Sequence, residues 1–221
     1  MKLAYPEIET VFHFGNGCFQ SLIIENPDLF FRFVDDLARQ SRGEDGLAVL
    51  SKNDEPLSIA GNLDLITDFF SFEINRKVLL NRIFAKLEKQ ALAPEFYERT
   101  QQLISQTESL IHDLAFQNDL YLELPRLSIS SLLKASGLCL REDYPSLAEK
   151  LLDYMELMAG NGFAALFVMV NMRSLLNDKI MELFGDQCCR CGYDILLVDN
   201  KTYAKLPREQ RTIIDSDLCE I

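Results

Sequence analysis

The sequence is short of the residues from which hydrolytic sites are built. Its two histidines, His13 and His112, lie far apart, and neither GxSxG nor HExxH occurs. Neither a serine nucleophile on a strand-to-helix elbow nor a helical zinc pair has support. The phosphate-cradling GxxxxGK[ST] is missing too: the segments after the candidate strands read NMRSLL and DNKTYA, so ATP hydrolysis has no motif behind it. No apolar run approaches the roughly 20 residues that span a bilayer. The longest strongly apolar stretch, FAALFVMV at 163–170, has the length of a buried strand. The opening MKLAYPEIET is broken by Pro6, Glu7 and Glu9 where a signal peptide needs its apolar core. The expectation is a cytoplasmic protein with no membrane partner, whose six cysteines, lacking framework spacing, stay free thiols.

With 48% hydrophobic and 25% charged residues the chain is an ordinary globular one and can bury a core. LAYP, VFHFG and CFQSLIIE read as short strands, separated by the turn-former GNG at 15–17. Asn26-Pro27-Asp28 then opens a helix. Asn26 suits the cap, Pro27 the first helical position, and Leu29, Phe30, Phe33, Val34 and Leu37 recur at helical spacing. SRGEDG at 41–46 breaks it, and LAVLS, KNDEP and LSIAG read as strand, turn and return.

From residue 74 to 159 the period is helical, punctuated by Pro94, Pro125 and Pro145, which predicts three to four helices. Sheet character returns with FAALFVMVN. MRSLLNDKIMELFG reads as helix, YDILLVDN as a second buried strand, and DSDLCEI as a last short one. The β-α-β order favours parallel strands. The fold class expected is therefore α/β: a split head over 1–73 and 160–221, with an α-helical leg domain over 74–159 inserted between its halves.

CCRCG at 188–192 supplies one CxxC and no second pair, short of the four ligands of a structural zinc site. It also precedes a strand instead of lying between strand and helix as a redox pair should, so packing or incidental thiols is the reading taken. Asp35-Asp36, on a helix, read as solvated carboxylates.

Charge is the remaining signal. The chain carries −12, yet NRKVLLNRIFAKLEKQ at 75–90 sets five cations against one acid, Glu88. Leu80, Ile83, Phe84 and Leu87 form one stripe of that helix, and Arg82, Lys86 and Lys89 lie together on a separate face. Ordinary solvated cations would give the same periodicity. Spacing alone does not choose between the two.

The segment LDLITDFFSFEINRKVLLNRIFAKLEKQ at 63–90 resembles the middle of the Csn-two family, CRISPR-associated spacer-acquisition proteins of type II-A loci. SLIIENPDLFFRFVDDL, SISSLLKASGLCL, AALFVMVN and ILLVDNKTYAKLPREQRTIIDSDLCEI match in order along the chain. The resemblance implies a P-loop-ATPase-like head sheet without a working nucleotide motif, carrying an inserted helical leg. It implies no catalysis, and a ring-shaped homotetramer that encloses double-stranded DNA by its free ends, acting with the CRISPR integrase complex and the type II effector nuclease. A ring acidic outside and basic inside would reconcile the two charges, with sequence-independent, salt-dependent binding.

By charge and placement the candidate DNA contacts are Arg82, Lys86 and Lys89, with Arg76 and Lys77 at the helix start and Arg42 and Lys52 in the head. The family's calcium implies a carboxylate set between head and leg, here Asp119, Glu123, Glu142 and Asp143, although Pro125 and Arg126 stand where acids would be expected. The alternative from another class is a protein-interaction scaffold whose basic helix meets an acidic partner. A degenerate nucleotide-binding enzyme is the third reading.

Overall fold

The computed structural model describes residues 1–163 and 165–221. Two sheets organise the first of its two compact units, Met1–Phe72 with Asp143–Ile221. The smaller sheet is antiparallel, in the order β2-β1-β4-β5, from β1 (Lys2–Tyr5), β2 (Ile8–His13), β4 (Val49–Lys52) and β5 (Glu55–Leu57). The larger is wholly parallel, in the order β6-β7-β8-β3-β9, from β3 (Phe19–Ile24), β6 (Leu63–Ile66), β7 (Leu166–Val170), β8 (Asp194–Asp199) and β9 (Glu209–Ile214). Every residue of β3 and β7 is buried, as a parallel sheet covered on both faces requires.

On one face lies α1 (Pro27–Ser41). Its cap is the one the sequence implies: the Asn26 side chain accepts from the N–H of Asp28 and Leu29 at 3.1 and 3.0 Å. Leu29, Phe33 and Leu37 are fully buried, and Phe33 meets Tyr5 edge-on at 5.0 Å, joining α1 to the small sheet in one core. Asp36 departs from the solvated reading. It is buried, and its carboxylate accepts from the N–H of Leu47 and Ala48 at 3.0 Å, pinning the loop that returns to β4. Gly46 makes this possible, because a Cβ there would stand 2.5 Å from Asp36 Oδ1.

α5 (Leu147–Gly160) and α6 (Asp178–Cys191) complete this unit, burying Leu151, Tyr154 and Met155 from one and Met181, Phe184 and Cys188 from the other. α6 approaches closely because Gly185 has no side chain: a Cβ would lie 2.6 Å from the Phe19 ring. The predicted helix from Met172 is two pieces. A 3-10 turn covers Met172–Ser174, entered through left-handed Asn171, and α6 starts afresh under the Asn177 cap. β9 carries no earlier assignment, while DSDLCEI forms no strand, only a bridge from Glu220 to Ile214.

The second unit is Glu73–Glu142, with α2 (Lys77–Ala91), α3 (Pro94–Gln117) and α4 (Ile129–Ala135). α5 packs with the first unit, not with the insertion expected over 74–159. The chain's entry into and exit from the second unit are clasped together. Asn75 exchanges side-chain bonds with the Leu140 backbone at 2.7 and 2.9 Å, and Glu142 Oε1 accepts from the N–H of Ile74 and Asn75 at 2.9 and 3.0 Å.

Candidate nucleic-acid interface

The cationic helix α2 forms on the predicted residues. Leu79 is buried, and Leu80, Ile83, Phe84 and Leu87 are half-buried against α3 and α4, so the apolar stripe is real packing surface. Arg82, Lys86 and Lys89 are exposed, within about 60° of the helix circumference. Lys77, also exposed, opens the first turn, and Arg76, half-buried, is the N-cap residue. Lys77, Lys86 and Lys89 make no ion pair among the described residues, whereas Arg76 and Arg82 each have a partner. The second unit holds nine cations and nine acids, the first thirteen cations and 25 acids, so the whole −12 resides in the first. The stripe on α2 therefore stands in a unit without net charge to cancel it.

The two candidates in the first unit differ from these. Arg42 ends α1 and pairs with Glu44 at 3.1 Å, and this contact, with Arg39 on the same carboxylate, holds Glu44 below the ordinary range. Lys52 is exposed at the end of β4, before a tight turn whose Asn53 and Asp54 both have positive φ.

The four carboxylates expected for calcium divide between the two units, three in the second and Asp143 in the first. Asp119 and Glu123 are exposed beyond α3, Glu142 is engaged in the clasp with Ile74 and Asn75, and Asp143 begins the second stretch of the first unit. Among the described residues no three His, Cys, Asp or Glu side chains gather as a metal site would require. The CCRCG cysteines occupy the end of α6 and point different ways. Cys188 is fully buried, and burial drives its thiol far above the usual range; Cys189 is half-buried, and Cys191 is exposed.

Sequence reasoning missed an ionic cluster formed by the turn after β7, the carboxyl end of β8 and the start of the edge strand β9. Arg173, Asp199 and Glu209 are all buried there, with Arg211 chelating Glu209 at 2.7 and 2.9 Å. Only the acid at the end of YDILLVDN hinted at it.

A family model described as CRISPR-associated protein (Cas_Csn2) matches residues 40–218. The chain belongs to this family. The crystal structure of Stu0660 of Streptococcus thermophilus is similar in fold, with a TM-score of 0.61 at 16% identity over 97% of this chain and 74% of that one. No curated protein sequence matches. Family membership bears out the resemblance read from residues 63–90, and the mixed α/β fold class stands with it. Among the described residues of this Cas_Csn2 family member, no helix is long and apolar enough to cross a membrane.

Proposed function

We propose that this protein is a non-enzymatic, cytoplasmic component of CRISPR adaptation that assembles as a homotetrameric ring and holds double-stranded DNA by its ends, without sequence preference. Membership in the CRISPR-associated family supports the adaptation role. The observation carrying the DNA reading is the exposed stripe Arg82, Lys86 and Lys89 in a unit of zero net charge, while the other unit holds all of the −12. Phosphates would meet cations on α2 and be repelled elsewhere, which favours backbone contacts over base readout. Against nucleotide turnover stands the start of α1, whose first amides are already taken by Asn26 and whose first turn carries Asp28.

The second reading, a protein scaffold, draws on the surface of the same unit. Phe116 and Tyr121 are 85% and 104% exposed, and a groove of about 540 Å³ between α2, α3 and α4 is lined by Leu87, Phe96, Leu103, Ile129 and Leu133. Such surface suits other copies of the chain, the integrase complex or the effector nuclease. Calcium, if taken, requires Asp119, Glu123 and their companions to gather on assembly.

The test compares binding of linear and covalently closed circular duplex of one sequence across salt concentrations, with and without calcium, while recording the mass of the oligomer. Salt-sensitive capture of linear DNA alone by a tetramer is expected. Equal capture of both forms means an open groove, and capture of neither leaves the scaffold.

A further inference from the structure

Each sheet of the first unit ends in an edge strand, β2 in the small one and β9 in the large one. An edge offers unpaired N–H and C=O groups to any strand that reaches it. One segment, residues 215–221, meets both edges. It turns back after β9 and runs beside it: the Ile221 N–H donates to the Ile213 carbonyl at 2.8 Å, the Ile213 N–H to the Ile221 carbonyl at 3.3 Å, and the Asp215 N–H to the Cys219 carbonyl at 3.0 Å. It reaches β2 through one side chain, Glu220.

What Glu220 meets there is a β-bulge. Leu3 pairs with Phe12 and Tyr5 with Ile8, so Ala4 alone on β1 faces Glu9, Thr10 and Val11 on β2. The surplus residues cannot all bond to β1, and two consecutive amides turn outward together, making a concavity for an anion. Glu220 Oε2 accepts from the N–H of Glu9 at 2.8 Å and of Thr10 at 3.2 Å, and Oε1 accepts from the Thr10 hydroxyl. Three donors thus converge on the two oxygens of one carboxylate.

The segment is held against backbone strain. Leu218 lies at φ 66°, a left-handed conformation that crowds the Cβ of a bulky side chain. Polar bonds hold the turn: the Leu218 N–H donates to the Asp215 carbonyl at 3.2 Å, Asp215 Oδ1 accepts from the amides of Asp217 and Cys219 at 2.9 and 2.8 Å, and Asn26 Nδ2 donates to the Ser216 carbonyl at 3.0 Å. Residues 216–219 are exposed, and Ile221 is 76% exposed, so little apolar burial opposes release.

We propose that the β2 bulge is a recognition site for a carboxylate on an extended acidic strand, and that residues 215–221 fill it in cis as a strained, releasable latch. Chemistry fixes the occupant. Three donors call for an anionic acceptor with two oxygens, and the open edge beside them takes a backbone in extended form. DSDLCEI supplies both within this chain. While the latch is shut, its end of both sheet edges is closed to an added strand. When it lifts, the Glu9 and Thr10 amides and the Thr10 hydroxyl lose their acceptor together, and an acidic segment of a partner protein replaces it on the same three donors.

Nitrogen-15 NMR of the full chain, read at the amides of Glu9 and Thr10, tests both halves. In Glu220→Ala an end-capped DSDLCEI peptide should return the two resonances to their wild-type positions, while the same peptide with alanine for its glutamate should not. Leu218→Gly, which relieves the left-handed strain, should slow hydrogen exchange at both amides about fivefold relative to the wild type. No response to the acidic peptide, or an equal response to the alanine peptide, overturns the recognition site. Exchange that is unchanged or faster in Leu218→Gly overturns the strained latch. If Glu220→Ala does not fold, the isosteric Glu220→Gln carries the same titration.

Discussion

Asp36 offers the sharpest test of how a single carboxylate positions the first unit. Replacing it with alanine removes the acceptor for two backbone amides, Leu47 and Ala48, each at 3.0 Å. The Ala48 amide is buried and left unsatisfied; the Leu47 amide belongs to an exposed residue and can be rehydrated. A buried unsatisfied group costs about 1–3 kcal/mol, and a lost bond to a charged acceptor about 1.5–3. Asp36→Ala should therefore destabilise the protein by about 3 kcal/mol, read as a lower denaturation midpoint in urea at unchanged slope. Gly46 sharpens the test. A methyl at Gly46 would meet Asp36 Oδ1 and Gln40 Cγ at 2.5 Å each, so Gly46→Ala should cost about 2 kcal/mol by overpacking. With Asp36 truncated one of those clashes is gone, and the double variant should be less damaged than the sum by at least about 0.5 kcal/mol. A cost under about 1 kcal/mol for Asp36→Ala, or additivity within about 0.3 kcal/mol, would refute the reasoning.

Other expectations concern the surface and the opposite face of the sheet. Arg82→Glu with Lys86→Glu should weaken duplex binding alike for all sequences and lower the slope of log K against log salt by about two, read by fluorescence anisotropy; unchanged affinity would remove α2 from the interface. Gly185→Ala drives a methyl against the Phe19 ring and should cost about 1–3 kcal/mol, seen as a lower Tm, with partial recovery on adding Phe19→Leu. Under native conditions a maleimide should label the exposed Cys139, Cys191 and Cys219 while sparing Cys188 until the protein is unfolded. Mass spectrometry that found Cys188 modified as fast as Cys191 would contradict its burial.

Much of the fold was legible where one local rule dominated. The continuous apolar runs around Phe19–Ile24 and Leu166–Val170 announced strands buried on both faces, and Asn26-Pro27 announced the cap of α1. The amphipathic pattern of α2, and the separateness of its cationic face, were equally readable. The misses share a physical cause: polar residues that the tertiary structure buries. Glu209 and Arg211 hide β9, since a strand whose inward face carries an ion pair lacks the alternation by which strands are recognised. Asp36 looked solvated because its partners are loop amides eleven and twelve residues away. Helical periodicity located α5 but carried no information about which unit it packs with. The carboxylates assigned to calcium came from a resemblance, and no local pattern disclosed that Glu142 is occupied by the amides of residues 74 and 75.

The register of the large sheet has a consequence for the order of events during synthesis. β3, the fourth strand in spatial order and buried along its full length, pairs with β8 and β9, which lie at the far end of the sequence. While the ribosome is still making the inserted helices, the FQSLII segment has left it with neither neighbour in existence. The helical unit, whose contacts are local and whose two ends are clasped through Asn75, can settle first. The first unit must wait for its last strands with an unpaired apolar ribbon in solution, so temperature and chaperone supply during expression should govern its yield more than the stability of the finished molecule does.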